Sequence, residues 1–104
     1  MVWKIVLTWD WFAQKTLGTQ FVGAADSIAF NISEGYGRYH YKENKNFCYY
    51  SRGSAKETLT GITKAKNRNL ITGEQHNALL QKLEFYFRLM HGYVNSIGAS
   101  NEGH

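Results

Sequence analysis

The last third of the chain carries an apolar repeat at helical spacing, and this repeat restricts the fold more than any other feature. At about 100° per residue, eight apolar or aromatic residues fall on one broad face. They are Leu79, Leu83, Tyr86, Phe87, Met90, Tyr93, Val94 and Ile97. Thr72 and Gln75 have the spacing of a capping box, which predicts that a helix begins there. Gly98 predicts its end.

Two further long helices are predicted upstream, because the chain contains no proline that would break them. The second stretch, residues 16–34, places one apolar face along its length and ends at Gly35 and Gly37, where we expect a turn that uses positive φ. The third stretch, residues 41–67, has a face of mostly small residues, which lets a neighbouring helix approach closely. That face is formed by Phe47, Tyr50, Ser51, Ser54, Thr58, Gly61, Ile62 and Ala65.

The first stretch, residues 1–9, is the shortest, and an isolated helix of two turns is marginal in water. We therefore expect it to be part of a longer natural helix. The predicted fold is an all-α, antiparallel up-and-down four-helix bundle with a truncated first helix. Residues 1–98 would form the bundle, and residues 99–104 a disordered tail.

Composition narrows the class of protein. The 104 residues suffice for one small domain, and 43% hydrophobic with 19% charged residues excludes a disordered or fibrous chain. A single cysteine, Cys48, excludes an intrachain disulfide scaffold. The chain has no run of about 18 apolar residues, so no membrane span is predicted. Its apolar N-terminus lacks a small-residue cleavage site, so no signal peptide is predicted. We predict a cytoplasmic protein with no membrane partner.

Positive charge is concentrated in the middle of the chain. Residues 38–68 hold eight Lys or Arg and two acidic residues, a net charge of +6 in a chain of +4. Five side chains share one face of the third helix, with a further cation just before it. The five are Lys42, Lys45, Tyr49, Arg52 and Lys56, and the preceding cation is Arg38. Such a stripe can follow a phosphate backbone, so RNA or DNA is a predicted partner; the alternative is a solvated outer face.

A polar strip on the second helix suggests contacts with the third. Asn31 and Glu34 are expected to meet Arg52, Ser54 or Glu57 in a hydrogen-bonded network that fixes the register of the two helices. The catalytic alternative makes Glu34 a general acid or base with Glu57 as its partner. No nucleophile or histidine lies at a helpful spacing, so no enzymatic activity is predicted.

No metal ion and no cofactor are predicted either. The possible ligands His40, His76, His91 and Cys48 fall in three different elements and form no close pair.

A second apolar strip on the last helix lies well off its main face. Its members are Ala78, Phe85 and Leu89. Because a helix with two apolar strips packs on two sides, we expect these residues to form an interface between copies of the chain.

Two segments carry a family resemblance. The run from Ser27 to Arg38, SIAFNISEGYGR, and the segment from Phe47 to Glu57 are similar to the signature of bacterial four-helix-bundle proteins encoded in intervening sequences of 23S ribosomal RNA genes. The resemblance covers about residues 1–98. It implies an antiparallel four-helix bundle assembled as a homopentamer, with no established enzymatic activity. A similar protein is the accessory subunit of diversity-generating retroelements, where a basic pentamer surface contacts nucleic acid and the reverse transcriptase.

The chain departs from that family pattern at three places. Val22 and Gly23 stand where the family often has an arginine pair, which removes two cations. Ala29 stands near the place of a usual proline, so a straighter second helix is expected. The family's first helix is also longer. Two hypotheses remain: a non-enzymatic oligomeric bundle that binds RNA or DNA non-specifically, or a structural or protein-interaction module that forms a homo-oligomer without a nucleic-acid role.

Overall fold

A computed structural model describes the backbone of residues 1–38 and 40–102, and the side chains of residues 1–38, 40 and 42–97. Five α-helices follow one another along the chain, and a π-helical turn, Gln14–Gly18, joins the second to the third without a break. The helices are α1 (Val2–Leu7), α2 (Trp11–Ala13), α3 (Thr19–Tyr36), α4 (Tyr41–Asn67) and α5 (Gly73–Glu102). Because α2 and α3 form one rod, the described residues build four helical rods and no strand. The all-α prediction is confirmed.

The rods form an elongated antiparallel bundle of 53 × 22 × 17 Å. Helix α4 packs against both α3 and α5, and in its contact with α5 Cys48 lies among Met90 and Val94. Helix α1 lies in the valley between α3 and α5, at the end near the π-helical turn. Its Val2 and Ile5 join the main core there. The first helix is therefore short in the fold, as expected from the sequence.

Helices α3 and α4 approach each other closely at two glycines. A Cβ atom added to Gly61 would lie 2.6 Å from Cδ1 of Phe21, and one added to Gly35 would lie 2.8 Å from Cβ of Phe47. Both distances are shorter than van der Waals contact allows, so only glycine fits. Five of the eight residues of the small-residue face predicted for this helix are buried, Phe47 and Ser54 are half-buried, and Tyr50 is 56% exposed.

The predicted reason for the glycines at the end of α3 is wrong. Gly35 lies inside the helix, and Gly37 caps it with φ −77°, in the right-handed region. No glycine in the described part of the chain has positive φ. The helix needs Gly35 because α4 comes close, not because the backbone turns there.

The rod that contains α3 begins five residues before the predicted start at Thr16. Asp10 caps it, since its Oδ1 accepts a hydrogen bond of 2.8 Å from the backbone N–H of Ala13. In the π-helical turn, Gln14 Nε2 donates to the carbonyl oxygens of Val6 and Leu7, both at 3.2 Å. These two bonds hold the end of α1 against the rod.

The connection between α4 and α5 follows known helix-end chemistry. Asn69 adopts φ 58°, its N–H donates to Lys66 O at 3.1 Å, and the N–H of Leu70 donates to Ala65 O at 2.8 Å. This pair of bonds is a Schellman motif with asparagine in the left-handed position.

The predicted start of the last helix is confirmed, and its predicted end is wrong. The capping box is confirmed, because Thr72 N–H donates to Gln75 Oε1 at 2.9 Å and Gln75 N–H to Thr72 Oγ1 at 3.0 Å. The predicted stop at Gly98 is wrong, since the helix continues to Glu102. One glycine weakens a helix by about 1 kcal/mol but does not end it without a left-handed cap. Gly103 and His104 lie outside the described residues, so the domain boundary stays a prediction.

Ser51 joins three helices at the centre of the bundle. It is fully buried, and its Oγ donates a hydrogen bond of 2.8 Å to Ile28 O in α3. The Tyr86 hydroxyl of α5 also bonds to this Oγ. Because the single hydroxyl hydrogen of Ser51 points to Ile28, Tyr86 is the donor. Burial raises the pKa of Tyr86 above its usual value, which keeps the hydroxyl protonated and able to donate.

The glycine contact predicts opposite effects for two alanine substitutions in α4. Gly61→Ala should destabilise the fold by about 1–3 kcal/mol, because the new methyl group collides with the buried ring of Phe21. Gly53→Ala should stabilise it by up to about 1 kcal/mol, since nothing lies within 4 Å and alanine favours helix. Urea denaturation of both variants measures the difference; equal shifts would contradict the close approach.

The buried serine predicts a second difference. Ser51→Ala should lower the free energy of unfolding by about 1–3 kcal/mol, because the Tyr86 hydroxyl is left without its acceptor. Ser54→Ala is the matched control: its side chain bonds to nothing in the described part of the chain, so the change should gain a few tenths of a kcal/mol from helix propensity. Thermal denaturation compares the two, and a Ser51→Ala variant as stable as Ser54→Ala would argue against the bond.

Candidate nucleic-acid interface

The basic stripe runs along the outer face of α4, away from the side chains that this helix buries. Lys42, Tyr49 and Lys56 are exposed, and Lys45 and Arg52 are half-buried. From Lys42 to Lys56 the stripe is about 21 Å long at 1.5 Å per residue. The outer face is free because α3 and α5 both pack on the opposite side of α4, where Ser51, Thr58 and Ile62 are buried.

The lysines of the stripe are not held in salt bridges in the described part of the chain. Within the described residues, Lys42, Lys45 and Lys56 form no ion pair at 4.0 Å or less. Arg52 instead lies over the ring of Tyr49, with its guanidinium carbon 5.7 Å from the ring centroid. The stripe therefore presents three uncompensated positive charges and one aromatic ring that an arginine partly covers.

Arg38 stands apart from the stripe. Its guanidinium forms an ion pair with Glu34 at 3.2 Å and lies 4.8 Å from the ring centroid of Phe47. Both charged side chains remain 42% exposed, so the pair is screened by water and contributes little to stability. The ion pair with Glu34 makes Arg38 a weaker phosphate contact than the three lysines.

The five residues of the predicted polar network do not bond to one another in the described part of the chain. Asn31 Nδ2 donates to Ser27 O at 2.9 Å, Glu34 pairs with Arg38, and Ser54 contributes only its carbonyl, to Thr58. Arg52 turns to Tyr49, and Glu57 is exposed. No described hydrogen bond joins this set across α3 and α4. The polar link between these helices is the Ser51 bond, which sequence reasoning missed because it counted Ser51 only as a small packing residue.

The register of α3 and α4 separates Glu34 from Glu57. Gly35 faces Phe47, which places Glu34 level with position 48 of α4. Glu57 lies nine residues farther along, about 13 Å away. Carboxylates that act on one glycosidic bond lie within about 10 Å of each other.

The possible metal ligands are also dispersed. No three His, Cys, Asp or Glu side chains of the described chain gather closely enough to hold an ion. Cys48 is buried, and burial raises the pKa of its thiol, so the reactive thiolate is disfavoured.

The second apolar strip borders a cavity that the sequence did not reveal. Phe85 and Leu89 are 57% and 59% exposed, and Ala78 is half-buried. Leu89 also lines an apolar cavity of about 330 Å³ between α3 and α5. The other lining residues are Ile32, Tyr36, Tyr86, Met90 and Tyr93. Part of the signal was present in the sequence, since Tyr86, Met90 and Tyr93 belong to the apolar face predicted for the last helix.

None of the helices, within the residues that the structure describes, is long and apolar enough to cross a membrane. A comparison with curated protein sequences finds no match. The family model of the 23S rRNA-intervening sequence proteins matches residues 1–92, which include α1 through α4 and two thirds of α5. The matched segment includes the stripe, the glycine contacts and the Ser51 link. The chain therefore belongs to the family of 23S rRNA-intervening sequence proteins.

Proposed function

We propose that this protein is a non-enzymatic, oligomeric helical bundle of the cytoplasm that binds RNA or DNA through the outer face of α4. The observation that carries the proposal is the row of Lys42, Lys45 and Lys56, which have no ion pair in the described chain and share one exposed face. A polyanion supplies the missing negative charge.

Phosphate contact explains what such a face can and cannot do. Each lysine that neutralises a phosphate releases condensed counterions, so binding weakens steeply as salt rises. A straight helix that lies along the backbone fixes the protein on the nucleic acid but does not read base edges. Tyr49 adds a ring for stacking on a base or sugar, with Arg52 on one side of it. Binding should therefore be largely independent of sequence.

Assembly would strengthen this binding. The resemblance implies a homopentamer, and the exposed Phe85 and Leu89 support self-association. Several copies of the stripe on one particle bind a long nucleic acid more tightly than one copy does, because the later contacts are intramolecular.

Charge reversal on the stripe tests the proposal. A variant with Lys42→Glu, Lys45→Glu and Lys56→Glu should bind a single-stranded RNA 20-mer at least tenfold more weakly at 50 mM salt. The slope of log affinity against log salt should shrink by about 2, because three phosphate contacts are lost. Fluorescence anisotropy measures both quantities.

The matched control reverses three cations elsewhere. Lys4→Glu, Lys82→Glu and Arg88→Glu change the net charge equally, and all three residues are exposed away from the stripe. This variant should keep affinity within about threefold of the unmodified protein. Equal losses in both variants would show that only total charge matters, and unchanged binding by the stripe variant would refute the interface.

The exposed strip supports a second candidate function, a structural or protein-interaction module whose homo-oligomer serves a protein partner without nucleic acid. Phe85→Ser with Leu89→Ser should lower the particle mass measured by light scattering, because the strip loses its apolar surface. Phe30→Ser with Leu59→Ser, also exposed apolar positions, should leave it unchanged. An unchanged mass for the strip variant would exclude this strip as the interface. Intact assembly with no RNA or DNA binding at low salt would favour this second function.

A further inference from the structure

Tyr49 lies within the basic stripe, between its lysines. Lys45 precedes it by four residues and Lys56 follows it by seven, which is about 6 Å and about 10 Å along α4. The Tyr49 side chain is 47% exposed. A nucleic-acid strand that follows the stripe therefore passes over this ring between one phosphate contact and the next.

The Tyr49 ring is held in place by a neighbouring side chain. The guanidinium carbon of Arg52 lies 5.7 Å from the ring centroid, and a cation over a ring attracts it. Arg52 covers only one face of the ring, and nearly half of the tyrosine remains in contact with water, so there is room for a second flat group. A side chain that is already ordered loses less conformational entropy when a ligand stacks on it.

Gly53 keeps the surface beside this ring open. It lies one turn beyond Tyr49 on the same side of α4, and side chains in a helix lean toward its N-terminus, so a side chain at position 53 would lean over the ring. No described atom lies within 4 Å of a Cβ atom placed on Gly53. Because glycine weakens a helix, packing gives no reason for this residue, whereas Gly61 is explained by Phe21.

The flat group that fits an ordered ring between phosphate contacts is a nucleic-acid base. We propose that the stripe takes a single-stranded nucleic acid, with an unpaired base stacked on Tyr49 and neighbouring phosphates on Lys45 and Lys56. The inference rests on the proposed function and narrows it to one class of nucleic acid. Stacking tolerates any sequence, because every base has a flat face. Tyr49 and Gly53 thus select the unpaired state and not the identity of the base.

A duplex cannot use the Tyr49 ring in this way. Its bases are paired and stacked on one another, so a side chain reaches a base face only where a step is unstacked, which is unfavourable. Phosphate contacts by themselves favour the duplex, since each contact contributes about 0.9 to the salt slope for duplex DNA and about 0.7 for a single strand. A preference for the single strand therefore cannot come from the lysines.

Three DNA probes separate stacking from charge. The first is an unstructured, fluorescein-labelled 20-mer, the second is the duplex of the same strand, and the third is a 20-mer that keeps every phosphate but has no bases. Fluorescence anisotropy with the full chain at 50 mM salt measures their affinities. The single strand with bases should bind at least about fivefold more tightly than either of the other two probes.

Replacing the ring should remove this preference. Tyr49→Leu should lower affinity for the single strand at least about fivefold and leave affinity for the duplex within about twofold, because the lysines remain. The probes with and without bases should then bind equally to this variant, which a merely structural role of Tyr49 would not produce.

Tyr50→Leu is the matched control for the ring. Tyr50 is 56% exposed, but it lies on another side of α4, with its ring centroid 5.5 Å from that of Phe47. The variant should leave all three affinities within about twofold. Circular dichroism should show that both tyrosine variants are folded.

Filling the open surface gives a second, independent test. Gly53→Leu should weaken single-strand binding as Tyr49→Leu does, because the new side chain leans over the ring, although leucine favours the helix. Gly23→Leu is its control, since Gly23 is also exposed, lies on α3 and has nothing within 4 Å of an added Cβ atom. The control should leave single-strand affinity within about twofold.

Failure of this inference and failure of the proposed function give different results. Equal binding of the single strand and the duplex would overturn the inference alone, as would equal effects of Tyr49→Leu and Tyr50→Leu or equal binding of the probes with and without bases. The loss of duplex binding in the triple Lys→Glu variant would still support the stripe in each of these cases. If no probe binds at 50 mM salt, the proposed function is wrong and this inference with it.

Discussion

Helices α3 and α4 lie so close together that two contact positions leave no room for a side chain. Gly61 receives the ring of Phe21, and Gly35 receives Phe47. These contacts lie at opposite ends of the pair and set its antiparallel register, which in turn brings Ser51 under Ile28 O. Helix α4 contacts both α3 and α5 because its small residues admit the two helices on adjacent parts of its buried half. Its remaining face, the basic one, has no neighbouring helix in the part of the chain that the structure describes.

Much of this arrangement could be predicted from the sequence because helical periodicity is a local property. The apolar face of the last helix, the small face of α4 and the Thr72–Gln75 capping box all depend on residues within a few positions of each other. The cap at Asp10 is local chemistry too, but the apolar pattern of this rod begins later and predicts a start at Thr16. The prediction that Gly98 ends the last helix is wrong because a glycine ends a helix only where it adopts a cap conformation.

The candidate site could be predicted in part, for a similar reason. The stripe follows from spacing on one helix, so the sequence places its five residues on one face. The polar network required a register between two helices, and spacing on each helix does not contain that information. The close approach at Gly35 sets a register in which Ser51 forms the hydrogen bond between α4 and α3. Glu34 instead forms an ion pair with Arg38, four residues along the chain. The apolar cavity beside Leu89 could not be predicted for the same reason, because it depends on where α3 and α5 lie relative to each other.

The π-helical turn has a consequence for how this chain can vary. Such a turn holds one more residue than the α-helix would, so it rotates everything before it by about 100° around the rod relative to α3. Removing one exposed residue there, such as Lys15, would restore a regular helix without touching the core. It would also swing Asp10 and the attached α1 to another side of the rod, out of the valley. A single-residue deletion at the surface would thereby take α1 away from the core that it completes, so the length of this segment is under tighter constraint than its residue types.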